Sequence, residues 1–154
     1  MLTKLVPEFN FFDEDHPIYT KPQTLPAAKV NECTMSEVLL SSGAIVSNSH
    51  LKTCVLGERS IVREGSYLEN VLMMGADYYE ESQSMQATDI PALGIGKNCS
   101  IKNSIIDRNA RIGDGCILSP DGKLDRIDYG RDIYVRDGVL CIGANAVLPA
   151  NTVF

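Results

Sequence analysis

From residue 40 onward the chain repeats with a period near six. The units are LSSGAI (40–45), VSNSHL (46–51), LGERSI (56–61), VREGSY (62–67), LENVLM (68–73), IGKNCS (95–100), IKNSII (101–106), IDRNAR (106–111), IGDGCI (112–117), IGANAV (142–147) and LPANTV (148–153). The aliphatic first position follows from the choice of register, but the fifth does not. It holds a small residue (Ala44, Ser60, Ser66, Cys99, Ala110, Cys116, Ala146, Thr152) in 8 of 11 units, although Ala, Ser, Cys and Thr make up only 34 of the 154 residues. In a strand, alternate side chains face one way, so the small residue and the aliphatic two places after it point to the same interior. Gly57, Gly96, Gly113 and Gly143 at position 2, with Gly or Asn at position 4, are expected to supply the corner conformations. Three units per coil predict an all-β triangular column of parallel strands stacked ~4.8 Å apart, of about three and a half coils. The period slips twice, where two units share Ile106 and between Leu51 and Leu56.

Residues 1–36 read differently. Four of the seven prolines fall here (Pro7, Pro17, Pro22, Pro26), which predicts an extended lead-in ahead of a repeat domain over 37–154. Its aromatics Phe9, Phe11, Phe12 and Tyr19 are expected to pack on this chain or on a neighbour. Two insertions interrupt the repeat, 74–94 and 119–138, and each reads as a solvated loop or a subunit contact.

Composition narrows the function. No run approaches the ~20 apolar residues of a membrane span, so no membrane partner is expected. The net charge of −6 argues against non-specific nucleic-acid binding. Residues 1–94 carry 6 basic and 13 acidic side chains, and residues 95–154 carry 8 and 7, so a small anion would look to the C-terminal half. Five cysteines without a C-x-x-C pair, and no opening signal segment, predict reduced thiols in a cytoplasmic protein.

Chemistry-bearing residues are sparse. His16 lies in the lead-in, which leaves His50 as the one histidine on a coil, and one imidazole cannot make a three-histidine metal site. His50 is a candidate general base, with a corner or surface histidine as the ordinary alternative and a register break at Ser49–Leu51 as a third reading. Cys99 and Cys116 sit where the stack wants small fillers, and Asp107, Asp114 and Asp137 read as turn aspartates. No G-x-x-x-x-G-K-[ST] or G-x-G-x-x-G loop is present. Lys97, Lys102, Arg108, Arg111, Lys123, Arg131 and Arg136 are candidate anion-binding residues, set against the simpler role of solvating outer faces.

The [LIV]-G-x-x-[small]-x unit resembles the hexapeptide-repeat proteins, which implies a left-handed parallel β-helix. More specific stretches are FFDEDHPIYTKPQTLPAAK (11–29), VLMMGADYYE (71–80), GIGKNCSIKNSIIDRNARIGD (94–114) and DGVLCIGANAVLPANTVF (137–154). Together they resemble the C-terminal domain of the glucose-1-phosphate adenylyltransferase family in its cyanobacterial and plant forms. The resemblance implies a regulatory and oligomerising part of an enzyme that makes ADP-glucose and pyrophosphate from ATP and glucose 1-phosphate. In that family an N-terminal nucleotidyltransferase domain does the chemistry with Mg²⁺. This segment would then hold no catalytic residue and no cofactor, the lead-in would pack on that domain, and the assembly would be a homo-oligomer, a tetramer in the parent family. It would be cytoplasmic, or plastidic in a plant or alga. A sugar phosphate or phosphate is the implied effector. Plant-type members place activator lysines where this chain has Ala144 and Pro120, with Lys123 the nearest substitute, so the implied response is altered. A self-sufficient acyltransferase relying on His50 and a non-catalytic assembly scaffold stand as alternatives. The repeat still running at Asn151–Phe154 predicts an end, or a 119–138 face, buried in an oligomer.

Overall fold

The computed structural model describes residues 13–19, 24–80, 90–130 and 132–154. It is a three-sided column of strands. The first face stacks β1 (Lys29–Asn31), β3 (Ile45–Ser47), β5 (Ile61–Val62), β7 (Gly94–Ile95), β9 (Arg111–Ile112) and β13 (Val147–Leu148), all parallel. The other two faces share longer strands, β2 (Thr34–Leu40), β4 (His50–Leu56), β6 (Tyr67–Met73) and β8 (Ser100–Ile106). Each bends once, at Glu37, Thr53, Asn70 and Asn103, whose φ values are 57°, 54°, 55° and 46°. β10 (Ile117–Leu118) pairs with the first half of β8, and β12 (Val139–Ile142) with its second half. β11 (Ile133–Arg136) folds back antiparallel on β12 and closes the end of the third face.

The alternation expected of the repeat is present. Val46, Leu56, Val62, Leu68, Ile95, Ile101, Ile106, Ile112, Ile142 and Leu148 are all buried in one core, and the fifth-position residues Ala44, Ser60, Ser66, Cys99, Ala110, Cys116 and Ala146 are buried beside them. Among the described residues no buried side-chain polar atom lacks a partner. No described helix is long and apolar enough to cross a membrane.

Several sequence expectations change in detail. The first coil begins at Lys29 rather than residue 37, because β1 and the first three residues of β2 lie inside the expected lead-in; the stack is accordingly taller than eleven units imply. Phe9, Phe11 and Phe12 lie outside the described residues, and Tyr19 is 91% exposed. The two slips are one recurring feature. Leu51–Leu56, Leu68–Met73 and Ile101–Ile106 are each five apart because the corner between the second and third faces is one residue tighter than the others. The position-2 glycines do not serve as left-handed corners. A Cβ on Gly113 would lie 2.4 Å from the Ala150 nitrogen, and one on Gly57 2.2 Å from the Met74 carbonyl oxygen, so they are needed because the next coil passes directly overhead. Of the insertions, the first rejoins the stack at Gly94, which already belongs to β7, and the second supplies β11 instead of remaining a loop.

Candidate functional site

The corners decide which side chains can act. His50 shows this first. Ser49, one residue early, takes the small inward slot and its hydroxyl donates to the Ser47 and Arg63 carbonyls at 2.8 and 3.0 Å, so His50 is turned outward and exposed between Thr34 and Tyr67. The register-break reading is the one the structure adopts. His16 pairs with Asp13 at 3.1 Å in the lead-in.

The candidate cations do not converge. Lys97 pairs with Glu64 at 2.7 Å, and that hydrogen bond holds its ammonium above the ordinary lysine range. Lys102 lies 3.9 Å from Glu69 and 5.8 Å from the centre of the Tyr67 ring. Arg108 pairs with Asp77 at 2.8 Å; the bond from Asn109 and then that from Arg108 hold the Asp77 carboxyl below its usual range. Arg111 pairs with Glu80, donates to the Pro91 carbonyl at 2.9 Å and reaches the Tyr78 hydroxyl at 3.4 Å. Burial alone would lower the Arg111 guanidinium, but its bonds to Glu80 and Tyr78 outweigh that and raise it. This arginine therefore straps the first insertion onto the column. Lys123 sits 4.5 Å over the Phe154 ring, and Arg136 5.7 Å from the Tyr134 ring while donating to the Val135 carbonyl at 2.8 Å. Arg131 lies outside the described residues.

One cation escaped the sequence reading. Arg63 occupies position 2 of VREGSY, a position that holds Gly or Pro in five of the other ten units and polar or charged residues in the rest, so nothing in the repeat marked it. Its guanidinium donates to the Leu93 and Ile95 carbonyls at 3.0 and 3.3 Å, and burial pulls it below the ordinary arginine range. With Lys97 and Asp114 it lines a cleft of 410 Å³ between the 90–92 segment and the corner at Pro149–Ala150. Asp114 accepts the Lys97 backbone N–H at 2.8 Å, so opposite charges face the same space. The cleft can hold a small polar molecule by charge and hydrogen bonds, but it holds no nucleophile–base pair.

The cysteines act as packing. Cys99 and Cys116 donate to the Gly113 and Pro149 carbonyls of the next coil at 3.2 and 3.3 Å, and a bond to Cys116 together with burial pushes the Cys99 thiol far up. Asp107 accepts the Arg108 backbone N–H at 2.7 Å, and Asp137 donates its own N–H to Asp125, as turn residues do. Among the described residues no three His, Cys, Asp or Glu side chains gather as a metal set. At the C-terminal end the second insertion is no free loop. Tyr129 meets Phe154 edge-on at 4.9 Å, and Phe154 exchanges backbone bonds with Ile117 and Ser119.

Comparison with known proteins bears on this arrangement. A family model described as the GLGC left-handed parallel beta-helix domain matches residues 23–153, which adds the handedness of the column. The glucose-1-phosphate adenylyltransferase small subunit, chloroplastic/amyloplastic, of Triticum aestivum is 37% identical over 155 residues, covering 97% of this chain and 33% of that protein. The chain thus spans about a third of the length of this relative.

Proposed function

This chain belongs to the GLGC left-handed parallel β-helix domain family, and from that premise we propose that it is the regulatory and oligomerising domain of a glucose-1-phosphate adenylyltransferase. The observation that carries the reading is the coincidence of the family match, 23–153, with the column that begins at Lys29 and runs to Val153. In this reading ATP and glucose 1-phosphate react on a separate nucleotidyltransferase domain, where Mg²⁺ acts. The residues of this chain hold that domain and its copies in place. The purified chain, mixed with ATP, glucose 1-phosphate and Mg²⁺, is expected to release no pyrophosphate; measurable turnover would overturn the reading.

Regulation follows from two positions. Ala144 is exposed at a corner and Pro120 is buried, where plant-type members carry activator lysines, and the Lys123 ammonium is engaged over Phe154. Sugar-phosphate activation is therefore weakened in this chain. Calorimetric titration with 3-phosphoglycerate, fructose 1,6-bisphosphate and phosphate should give weaker binding than a plant-type member shows, and binding as tight as that would reject the claim. Assembly with copies of itself completes the reading, and light scattering should show a species larger than one chain. The wheat relative is chloroplastic/amyloplastic, which supports a plastid location if this chain comes from a plant or alga.

A further inference from the structure

The cleft beside Arg63 exists because of the repeat itself. Arg63, Gly96, Gly113 and Pro149 follow one another at the same corner, each just past a residue of the first face, and those residues are in register: Val62 with Ile95, Ile95 with Ile112, and Ile112 with Leu148. Coil stacking imposes glycine at the two middle positions. A Cβ on Gly96 would lie 2.7 Å from the Asp114 nitrogen, and one on Gly113 2.4 Å from the Ala150 nitrogen. No side chain therefore fills this corner for two coils, and the space is walled by Ile90, Pro91 and Ala92 of the returning insertion and by Pro149 and Ala150. Its volume of 410 Å³ lies near the small end of ligand pockets, which run from about 300 to about 1,000 Å³.

The charges about this space balance, and all but two are paired. Among the described residues they are Arg63, Lys97 and Arg111 against Glu64, Glu80 and Asp114. Lys97 pairs with Glu64 and Arg111 with Glu80, which leaves Arg63 and Asp114, close enough to attract but joined by no ion pair. Arg63 commits Nη1 to the Leu93 and Ile95 carbonyls, so Nε and Nη2 keep their donors. Those donors are not sealed in, because among the described residues no buried side-chain polar atom lacks a partner. Asp114 commits Oδ1 to the Lys97 backbone N–H and keeps Oδ2 as an acceptor.

A ligand that engages both groups must carry an anionic acceptor and a cationic donor. A phosphate would satisfy Arg63 alone and set its own charge against Asp114. A molecule neutral overall, with opposite charges on neighbouring atoms, suits both, and the apolar walls suit a hydrocarbon remainder. We propose that the cleft binds a free α-amino acid with an apolar side chain, its carboxylate on the Arg63 fork, its ammonium on Asp114 and its side chain against Ile90, Pro91 and Ala150. The site is built wholly from this chain, so its occupancy does not depend on a nucleotidyltransferase domain.

The test titrates L-valine, L-leucine and L-phenylalanine in turn into the isotope-labelled chain and follows backbone amide shifts by nuclear magnetic resonance. At least one should give saturable shifts centred on Arg63, Lys97, Asp114 and Ala150. Leucinamide, which lacks the carboxylate, isocaproate, which lacks the ammonium, and inorganic phosphate should each bind roughly tenfold more weakly, or not at all. Arg63 is left in place because it also ties down the Leu93 carbonyl. Asp114→Asn keeps an acceptor for the Lys97 N–H and removes the charge, and Ala150→Phe narrows the cleft from the opposite wall. Each should weaken amino-acid binding by roughly tenfold or more while circular dichroism and melting temperature stay those of the parent, and Lys52→Ser on the second face should change nothing. No saturable shift with any of the three amino acids overturns the proposal. So does binding that survives both cleft variants, or phosphate or isocaproate binding as tightly as leucine, which would assign the cleft to simple anions.

Discussion

The Ser66 hydroxyl, sealed inside the column, donates to the Gly96 carbonyl of the next coil at 2.9 Å and accepts the Cys99 backbone N–H at 3.2 Å. The same corner carries Ser49, Cys99, Cys116 and Thr152, each donating to a carbonyl at or near position 2 of its own or the following coil. Small side chains at this corner therefore do two things at once: they leave room for the bend and satisfy carbonyls that the bend removes from the strand ladder.

Ser66→Ala keeps the volume and removes the donor and acceptor. Leaving the buried Gly96 carbonyl and Cys99 N–H short of partners should cost about 1–3 kcal/mol, read as a lower denaturant midpoint with an unchanged slope. A variant as stable as the parent would show that the hydroxyl is mere filler.

At the corner between the second and third faces, Asn70 donates to the Asn103 side-chain oxygen at 3.0 Å, and both tolerate their left-handed φ. Thr53, one coil earlier, adopts φ 54° with a branched Cβ that disfavours it, offset by a hydroxyl bond to Glu37 at 3.0 Å. Thr53→Asn should relieve the strain and lengthen the asparagine ladder. A gain of about 0.5–1 kcal/mol, or roughly 2–3 °C in Tm, is expected. A fall in Tm would mean the Glu37 bond outweighs the strain.

Two glycines separate two reasons for the residue. Gly113 has the Ala150 backbone 2.4 Å from where a Cβ would stand, whereas Gly122 has φ +73° and nothing within 4 Å. Gly113→Ala should cost about 3 kcal/mol by forcing coils apart, and Gly122→Ala about 1 kcal/mol from its backbone conformation alone. Thermal unfolding of the two variants orders them, and the reverse order would reject close coil packing as the cause.

Glu80 and Arg111 pair with side chains 14% and 19% exposed. Burial works to raise the Glu80 carboxyl, but the Leu93 N–H and Arg111 outweigh it and hold the carboxyl below its usual range. A depressed carboxylate contributes stability that is present above its unfolded pKa of about 4.3 and lost as pH falls through the lower folded value. Glu80→Gln should therefore be less stable than the parent by roughly 1–3 kcal/mol at pH 7, between the worth of exposed and buried pairs. Denaturant curves on either side of pH 4 should show that gap closing in acid, and a gap that persists at low pH would remove the ion pair as its source.

How much of this was legible follows from what a repeat encodes. Ile95, Ile101, Ile112 and Ile142 read as inward from their spacing and are so, because alternation in a strand is a local property that six residues suffice to write. The three-sided column follows from the same pattern. The roles of Gly57 and Gly113 did not, since an overhead coil is invisible along the chain. For His50 the repeat left an inward slot and a register break at Ser49–Leu51 both open, and the choice fell to the fold, where Ser49 claims the corner and turns His50 outward. Arg111 read as a candidate ligand cation but is held by Glu80, 31 positions away, and Arg63 by carbonyls some 30 positions on. Sequence by itself determined which side of each strand faces the core, because that depends on neighbours two residues apart. Tertiary structure alone decided which charges are paired and which are left facing the cleft, because coil stacking and the return of two insertions set those distances.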